Sequence, residues 1–252
     1  MLRRLRDWFF TIPFLLAMGL TLVGFHVAGL VALRMGPRPF EHVMARLQWT
    51  LMHLFTITGA KLIVEESDAI EPGRGYLIIS NHQSMFDIAV IGGVMLTNYP
   101  KYVAKTELGK WIPSVSLNLR EGGNALIDRG DRHQAVEAIV EMAELAQERD
   151  VSVVIFPEGT RSRDGTPGRF SRGGMKALLN AADQLPVVPV VIDGSWKLLR
   201  YNLRPIPFGT TVRLRLGDPM PRTQEDAGAM VEKSETWIRD TLAEWRLANA
   251  QG

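Results

Sequence analysis

The chain opens on an apolar run. Residues 8–33 contain no Asp, Glu, Lys or Arg, and His26 is their only readily ionisable side chain. If fully helical, the run is about 39 Å long, enough to cross the hydrocarbon of a bilayer. Arg3, Arg4 and Arg6 precede it, Arg34 and Arg38 follow it, and Trp8, Phe9 and Phe10 stand where an interfacial aromatic belt lies. A second helical pattern covers residues 40–55. There Val43, Leu47, Leu51 and Leu54, with Trp49 and Phe55 alongside, mix with Glu41, His42, Arg46 and Gln48. Gly36, Pro37 and Pro39 break the two patterns apart. Residues 1–58 therefore predict a membrane-associated pair of helices. Basic residues at both ends favour entry into one leaflet and return over a simple span. A signal peptide needs a shorter apolar stretch and a small-x-small site, and a buried core helix needs fewer apolar residues. An ordinary core-facing helix is the other reading of the second pattern.

From Lys61 the period changes. Short β-rich runs lie at 62–64, 76–79, 102–104, 125–127, 151–156, 187–192 and 212–216. Helical patterns separate most of them. The clearest is 132–148, where Val136, Ile139, Val140, Ala143 and Ala146 form a stripe with Glu137, Glu141 and Glu144 off it. A shorter one, 175–182, follows Gly173 and Gly174, and Trp237, Ile238, Leu242 and Trp245 predict a C-terminal helix that packs back. Strands alternating with helices predict an α/β layered domain over residues 59–252.

Composition removes several classes. Lys and Arg number 29 against 27 Asp and Glu, a formal net charge of +2, so there is no polyelectrolyte signature and nucleic acid is not indicated. The chain has no cysteine. Disulfides, thiolate zinc sites and a cysteine nucleophile are thereby excluded.

Candidate chemistry gathers where strand patterns end. In Gly75-Tyr76-Leu77-Ile78-Ile79-Ser80-Asn81-His82-Gln83-Ser84-Met85-Phe86-Asp87 an apolar strand runs into a histidine, with an aspartate five positions on. On one uninterrupted helix these two side chains are roughly 140° apart and do not meet. A strand-to-helix turn between them, with Ser84 as the expected helix N-cap, lets the carboxylate reach one ring nitrogen. A neutral imidazole so held is a general base for a hydroxyl or thiol. The same pair equally serves as a hydrogen-bonded structural histidine and a helix-start carboxylate. Two more strand patterns end in polar clusters: Ile127-Asp128-Arg129, and Phe156-Pro157-Glu158-Gly159-Thr160-Arg161-Ser162. The second is rich in groups that bind phosphate or hydroxyl. Solvated turns are the plain alternative for both.

In order, Asn81-His82-Gln83-Ser84-Met85-Phe86-Asp87, Ile127-Asp128-Arg129, Phe156-Pro157-Glu158-Gly159-Thr160-Arg161-Ser162 and Val187-Val188-Pro189-Val190 resemble four blocks of the glycerolipid acyltransferase family, most closely its 1-acylglycerol-3-phosphate O-acyltransferases. The first and third blocks are specific. Leu126 stands where the family often has phenylalanine. The resemblance implies an α/β acyltransferase domain with a central mixed sheet, preceded by the membrane-associated helix pair. It implies transfer of a fatty acyl group from acyl-CoA or acyl carrier protein to the free hydroxyl of 1-acylglycerol-3-phosphate, giving phosphatidic acid. His82 is then the base and Asp87 its orienting partner. Arg129, Glu158 and Gly159, with Thr160 in the same block, form the glycerol-phosphate site. Arg161 and Lys105 add anion-holding charge, and Pro189 shapes the pocket. The implied partners are a bilayer, a lysophospholipid acceptor and the acyl donor, with the active site facing the cytoplasm and no metal or redox cofactor.

Two other classes compete. Ser84 lies two residues from His82, but no Gly-x-Ser-x-Gly elbow supports a serine nucleophile. A non-catalytic lipid-binding protein leaves the His82 and Asp87 pair without a purpose.

Overall fold

The structure, a computed structural model, describes residues 1–222 and 227–251. All seven β-rich runs form strands: β1 (Lys61–Glu66), β2 (Leu77–Ser80), β3 (Lys101–Lys105), β4 (Ala125–Ile127), β5 (Val153–Ile155), β6 (Val187–Asp193) and β7 (Thr211–Leu216). They build one sheet in the order β1-β7-β6-β2-β5-β3-β4. Neighbours are parallel except β6 and β7, which pair antiparallel. Strands β2 to β6 thus share one direction, and their carboxyl ends lie along one edge. Open α/β sheets bind ligands outside that edge.

Strand side chains alternate between the two faces with period two. Leu77, Ile79, Val153, Ile155, Val187 and Val191 point to one side. There they meet Ile139, Met142, Ala143 and Ala146 of α5 (Arg132–Arg149), Met175 and Leu178 of α6 (Arg172–Ala181), and Ile238, Leu242 and Trp245 of α7 (Ala227–Gln251). Ile78, Val154, Val188, Val190 and Ile192 point to the other side, against Val90 and Ile91 of α3 (Asp87–Val94) and Phe14 of α1 (Leu2–Met35). The result is a three-layer α/β arrangement. Asp131 caps α5 by accepting from the amides of His133 and Gln134, an interaction of about 1 kcal/mol. The stripe expected on α5 is shifted: Val136 is exposed and Met142 is buried in its place. A short helix, α4 (Val115–Glu121), carries too few apolar positions to have been read from the pattern.

The break at Gly36 separates α1 from α2 (Pro37–Leu54). Gly36 has φ 116°, open to glycine and strained for other residues, and Pro37 occupies the first helical turn, where its missing N–H costs nothing. The polar residues of α2 do not all face outward, as an amphipathic surface helix would have them. Glu41 and Gln48 are buried. Lys101 Nζ lies 2.9 Å from Glu41 Oε1, with Arg38 and Arg149 at 3.2 and 3.6 Å from the same carboxylate, and Gln48 Oε1 accepts from the Tyr102 hydroxyl. A carboxylate is tolerated there because three cations surround it.

The helix α1 is fastened to the domain along its length. Asp7 accepts from the Phe208 amide, Thr11 Oγ1 from the Ile206 amide at 2.9 Å, and His26 Nδ1 from the Ser114 amide at 3.0 Å. Gly29 lies so close to Met44 and Leu117 that a Cβ would stand 2.6 Å from the Met44 methyl. The opposite face is apolar and exposed: Phe9, Ile12, Leu16, Leu20, Val23, Val27 and Val31 recur at helical spacing. By length and composition α1 is able to cross a membrane, and only 11% of its most apolar stretch is buried.

Candidate active site

The strand β2 ends at Ser80, and the chain is then locked in place residue by residue. Asn81 donates to the Ile192 carbonyl and accepts from the Ile192 amide, at 2.8 and 2.9 Å, so its side chain ties the end of β2 to β6. The His82 amide donates to Glu158 Oε1 at 2.7 Å, and the His82 carbonyl accepts from the Ser162 amide at 2.8 Å. The backbone at the histidine is thus held by the loop that follows β5.

The ring itself is fixed by two contacts. Nδ1 lies 2.8 Å from Asp87 Oδ2, and the face of the ring stacks on Phe156 at 4.1 Å between centroids and 16° between planes. With Nδ1–H donated to the carboxylate, Nε2 carries the lone pair, and among the described residues nothing hydrogen-bonds to it. The carboxylate is saturated in turn. Asp87 is fully buried, Oδ2 also accepts from the amides of Gln83 and Ser84 at 2.7 and 2.8 Å, and Oδ1 accepts from the Ser195 hydroxyl at 2.6 Å. This corrects the expected cap. Ser84 lies ahead of a helix that starts at Asp87; its hydroxyl accepts from the Phe86 amide, while the aspartate takes up the amides of Gln83 and Ser84.

A cavity of about 230 Å³ opens in front of the ring. His82, Lys105, Arg129, Phe156 and Gly159 line it, with Ile139, Ile155 and Met175 forming an apolar wall. Apart from Ile139 of α5 and Met175 of α6, these residues come from the carboxyl ends of β2, β3, β4 and β5, which is why positions far apart in sequence converge. Arg129 Nη2 also donates to the Gly159 carbonyl, so the guanidinium borders the cavity while bracing the turn after Phe156. Gly159 sits at φ 64°, a conformation that glycine adopts without strain. Glu158 spends both carboxylate oxygens on backbone amides, that of His82 and that of Gly168 at 2.7 Å. Burial pushes its carboxyl up from the ordinary range, opposed by those two amides. Its geometry is that of a brace behind the histidine.

Thr160 and Arg161 are not in this cavity. They line a separate polar hollow on the other side of the loop, with Gln83, Arg163 and Arg200. Pro189 shares a strand face with Val187 and Val191, toward α7, and Gly217 packs against its ring; it lines neither hollow. A larger apolar hollow of about 660 Å³ lies at the edge strand β1, away from His82. Ser195, Phe156 and Gln83 are the site residues that sequence reasoning did not single out. Ser195 follows Gly194 at the end of β6, where a polar residue just past an apolar strand was the available signal.

Fold and site together define an α/β protein whose sheet edge holds a carboxylate-anchored imidazole beside a cavity with an apolar wall and two cations. Comparison narrows that class. Residues 61–193 match the family model described as Acyltransferase, and the chain belongs to that family. It is 30% identical over 193 residues to the human 1-acyl-sn-glycerol-3-phosphate acyltransferase alpha, an alignment covering 75% of this chain and 66% of that one. It is 31% identical over 176 residues to the 1-acyl-sn-glycerol-3-phosphate acyltransferase of Cocos nucifera, covering 67% and 52%. The chain spans about half to two thirds of the length of these curated relatives. Its fold matches the crystal structure of the 1-acyl-sn-glycerophosphate (LPA) acyltransferase PlsC from Thermotoga maritima, with a TM-score of 0.75, 23% identity, and coverage of 97% of this chain and 98% of that one.

Proposed function

We propose that this protein transfers a fatty acyl group from a thioester, of coenzyme A or acyl carrier protein, to the free hydroxyl of 1-acylglycerol-3-phosphate, yielding phosphatidic acid. The observation that carries the reading is Nε2 of His82, without a hydrogen-bond partner among the described residues, on a ring that lines a cavity with an apolar wall and the cations Lys105 and Arg129 on its rim. The imidazole takes the hydroxyl proton as the oxygen attacks the thioester carbonyl, and the buried Asp87 carboxylate stabilises the imidazolium. Collapse of the tetrahedral intermediate expels the thiolate, which recovers the proton. The route draws on no covalent enzyme intermediate, metal or redox group. Lys105 and Arg129 hold the acceptor's phosphate by charge-assisted hydrogen bonds. The apolar wall takes acyl chain. The names of the curated relatives favour lysophosphatidate over other lysolipids as the acceptor.

The bilayer enters the reading through α1. A helix pinned to the domain at Asp7, Thr11, His26 and Gly29 cannot cross a membrane without carrying the domain with it. Its exposed apolar face is suited to immersion in one leaflet, the cytoplasmic one, with the domain in the adjoining water. This brings the site to the surface where an amphipathic substrate resides.

The deciding assay is purified protein in detergent with radiolabelled acyl-CoA or acyl carrier protein against a panel of lysolipids. Product is expected with lysophosphatidate and to be at least tenfold lower with zwitterionic lysolipids. Equal rates on all headgroups would remove the phosphate site from the reading, and no transfer to any acceptor would end it.

A further inference from the structure

The hollow that received Thr160 and Arg161 has a volume of about 580 Å³ and lies across the loop after β5 from the cavity of His82. Its lining includes three guanidinium groups, those of Arg161, Arg163 and Arg200, and no carboxylate. None of the three has a carboxylate partner among the described residues. The nearby acids are otherwise engaged: Asp164 accepts from the Ser162 hydroxyl and the Thr166 amide, and Asp193 accepts from Gln83 Nε2. Trp196 contributes an aromatic surface to the wall, and Tyr201, exposed, lies under the Arg200 guanidinium at 5.8 Å.

A second observation points into the same hollow. Gln83 lines it and is itself only 2% exposed. Its Nε2 donates to the Gly165 carbonyl and to Asp193, while its Oε1 is buried with no hydrogen-bond partner among the described residues. A buried amide oxygen left without a donor is costly, so this wall of the hollow carries an unmet acceptor just beneath its surface. The hollow is also mechanically tied to the catalytic residue. Gln83 follows His82 in the chain, and the Ser162 amide donates to the His82 carbonyl at 2.8 Å.

Resting on the acyl-transfer reading, we infer that this hollow is the docking site for the phosphorylated nucleotide end of a coenzyme A thioester. The acceptor's single phosphate is already provided for by Lys105 and Arg129, so a separate cluster of three arginines answers to the other anionic substrate. Coenzyme A carries a diphosphate and a ribose phosphate, which match guanidinium groups in number and geometry. An adenine ring stacks on indole and guanidinium planes. The volume is that of a nucleotide pocket rather than of one headgroup phosphate. The flexible pantetheine arm then spans from this hollow to the cleft at His82.

Arg163→Gln and Arg200→Gln test this, since both side chains are exposed and neither borders the His82 cavity. Each variant is expected to raise the KM for palmitoyl-CoA about ten- to hundredfold. The KM for lysophosphatidate should stay within about twofold, and so should that for S-palmitoyl-pantetheine, a donor without the nucleotide. A rise in the lysophosphatidate KM instead would give the hollow to the acceptor's headgroup and overturn the inference. So would loss of binding to anionic phospholipid vesicles with both KM values unchanged, or no change in any measurement. Calorimetric titration of free coenzyme A into the detergent-solubilised protein needs no turnover. Binding to the parent that weakens at least tenfold in both variants supports the site even if no lysolipid is acylated, whereas absence of binding to the parent overturns it.

Discussion

His82 and Asp87 meet at 2.8 Å across a turn rather than along a helix, and the carboxylate that meets the ring is wholly buried and accepts three further hydrogen bonds. A carboxylate so saturated is fixed in position and cannot swing away when the ring takes up a proton. His82→Ala is therefore expected to lower kcat by ~10²- to 10⁴-fold, the usual worth of a general base. Asp87→Ala should cost less but remain severe. Circular dichroism and melting temperature should show His82→Ala folded; near-normal turnover in that variant would end the mechanism.

Ser195 reaches the far oxygen of Asp87 at 2.6 Å and touches neither the ring nor the cavity, so it is a positioning residue. Ser195→Ala should lower kcat about ten- to hundredfold, since one hydrogen bond to a charged group is worth ~1.5–3 kcal/mol. Both KM values should stay near those of the parent. Ser195→Thr, which keeps the hydroxyl, should recover most of the loss. An equal loss in both variants would make the effect one of packing alone.

Arg129 is expected to act on the acceptor. Arg129→Gln should raise the KM for lysophosphatidate at least tenfold and that for the acyl donor far less, because a guanidinium on phosphate makes charge-assisted bonds that an amide does not replace. Its second bond, to the Gly159 carbonyl, predicts a smaller loss in kcat through the loop behind His82. Equal rises in both KM values would identify Arg129 as structural only.

The strands were legible because each is a short β-rich run between turn residues, and their carboxyl-end clusters were legible because polar groups crowd abruptly after apolar ones. His82 and Asp87 could be paired from spacing alone. What spacing does not carry is which side of a loop a side chain leaves from. Lys105, Arg129 and Gly159 line the cavity of His82, while Thr160 and Arg161, immediately after Gly159 in the same block, line another. The cause is local: Gly159 takes a left-handed conformation and turns the chain between them. Glu41 was hidden for a different reason. A helix that mixes polar and apolar residues reads as solvent-facing on its polar side, and only the positions of Lys101, Arg38 and Arg149 make that side an interior one.

That buried cluster gives the fold's stability a pH signature. Burial holds the Lys101 ammonium below its ordinary pKa, against the opposing pull of Glu41. Glu41→Gln leaves the lysine buried without its counter-charge and is expected to cost about 3–5 kcal/mol. The double variant Glu41→Leu with Lys101→Met should recover most of that. Because the folded-state pKa of Lys101 is lowered, the unfolded chain binds more protons in the alkaline range below 10.5, and stability rises with pH there. Denaturant melts of Glu41→Gln should show this rise more steeply than the parent; a flat profile would place the charge on Lys101 elsewhere.

The last prediction concerns the bilayer. Eight exposed apolar residues from Phe9 to Val31 recur along one face of α1, over roughly 33 Å at 1.5 Å per residue. The opposite face is hydrogen-bonded or packed onto the domain at both ends, through Asp7 and Thr11 near one terminus and His26 and Gly29 near the other. A spanning helix would have to break one of these sets of contacts, whereas a helix immersed in one leaflet keeps both and still buries its apolar face. Arginines before and after the apolar run, Arg3, Arg4 and Arg6 on one side and Arg34 and Arg38 on the other, fit a segment whose two ends lie at the same anionic surface. The chain has no native cysteine, so a single introduced thiol reports without background. Leu2→Cys and, separately, Glu65→Cys place that thiol at the start of α1 and on the edge strand β1. Arg215 keeps Glu244 as a partner when Glu65 is replaced. An impermeant maleimide applied to sealed vesicles is expected to label both positions from the same side. Labelling of the two from opposite sides would establish a span, and with it the rupture of the Thr11 or the His26 contact.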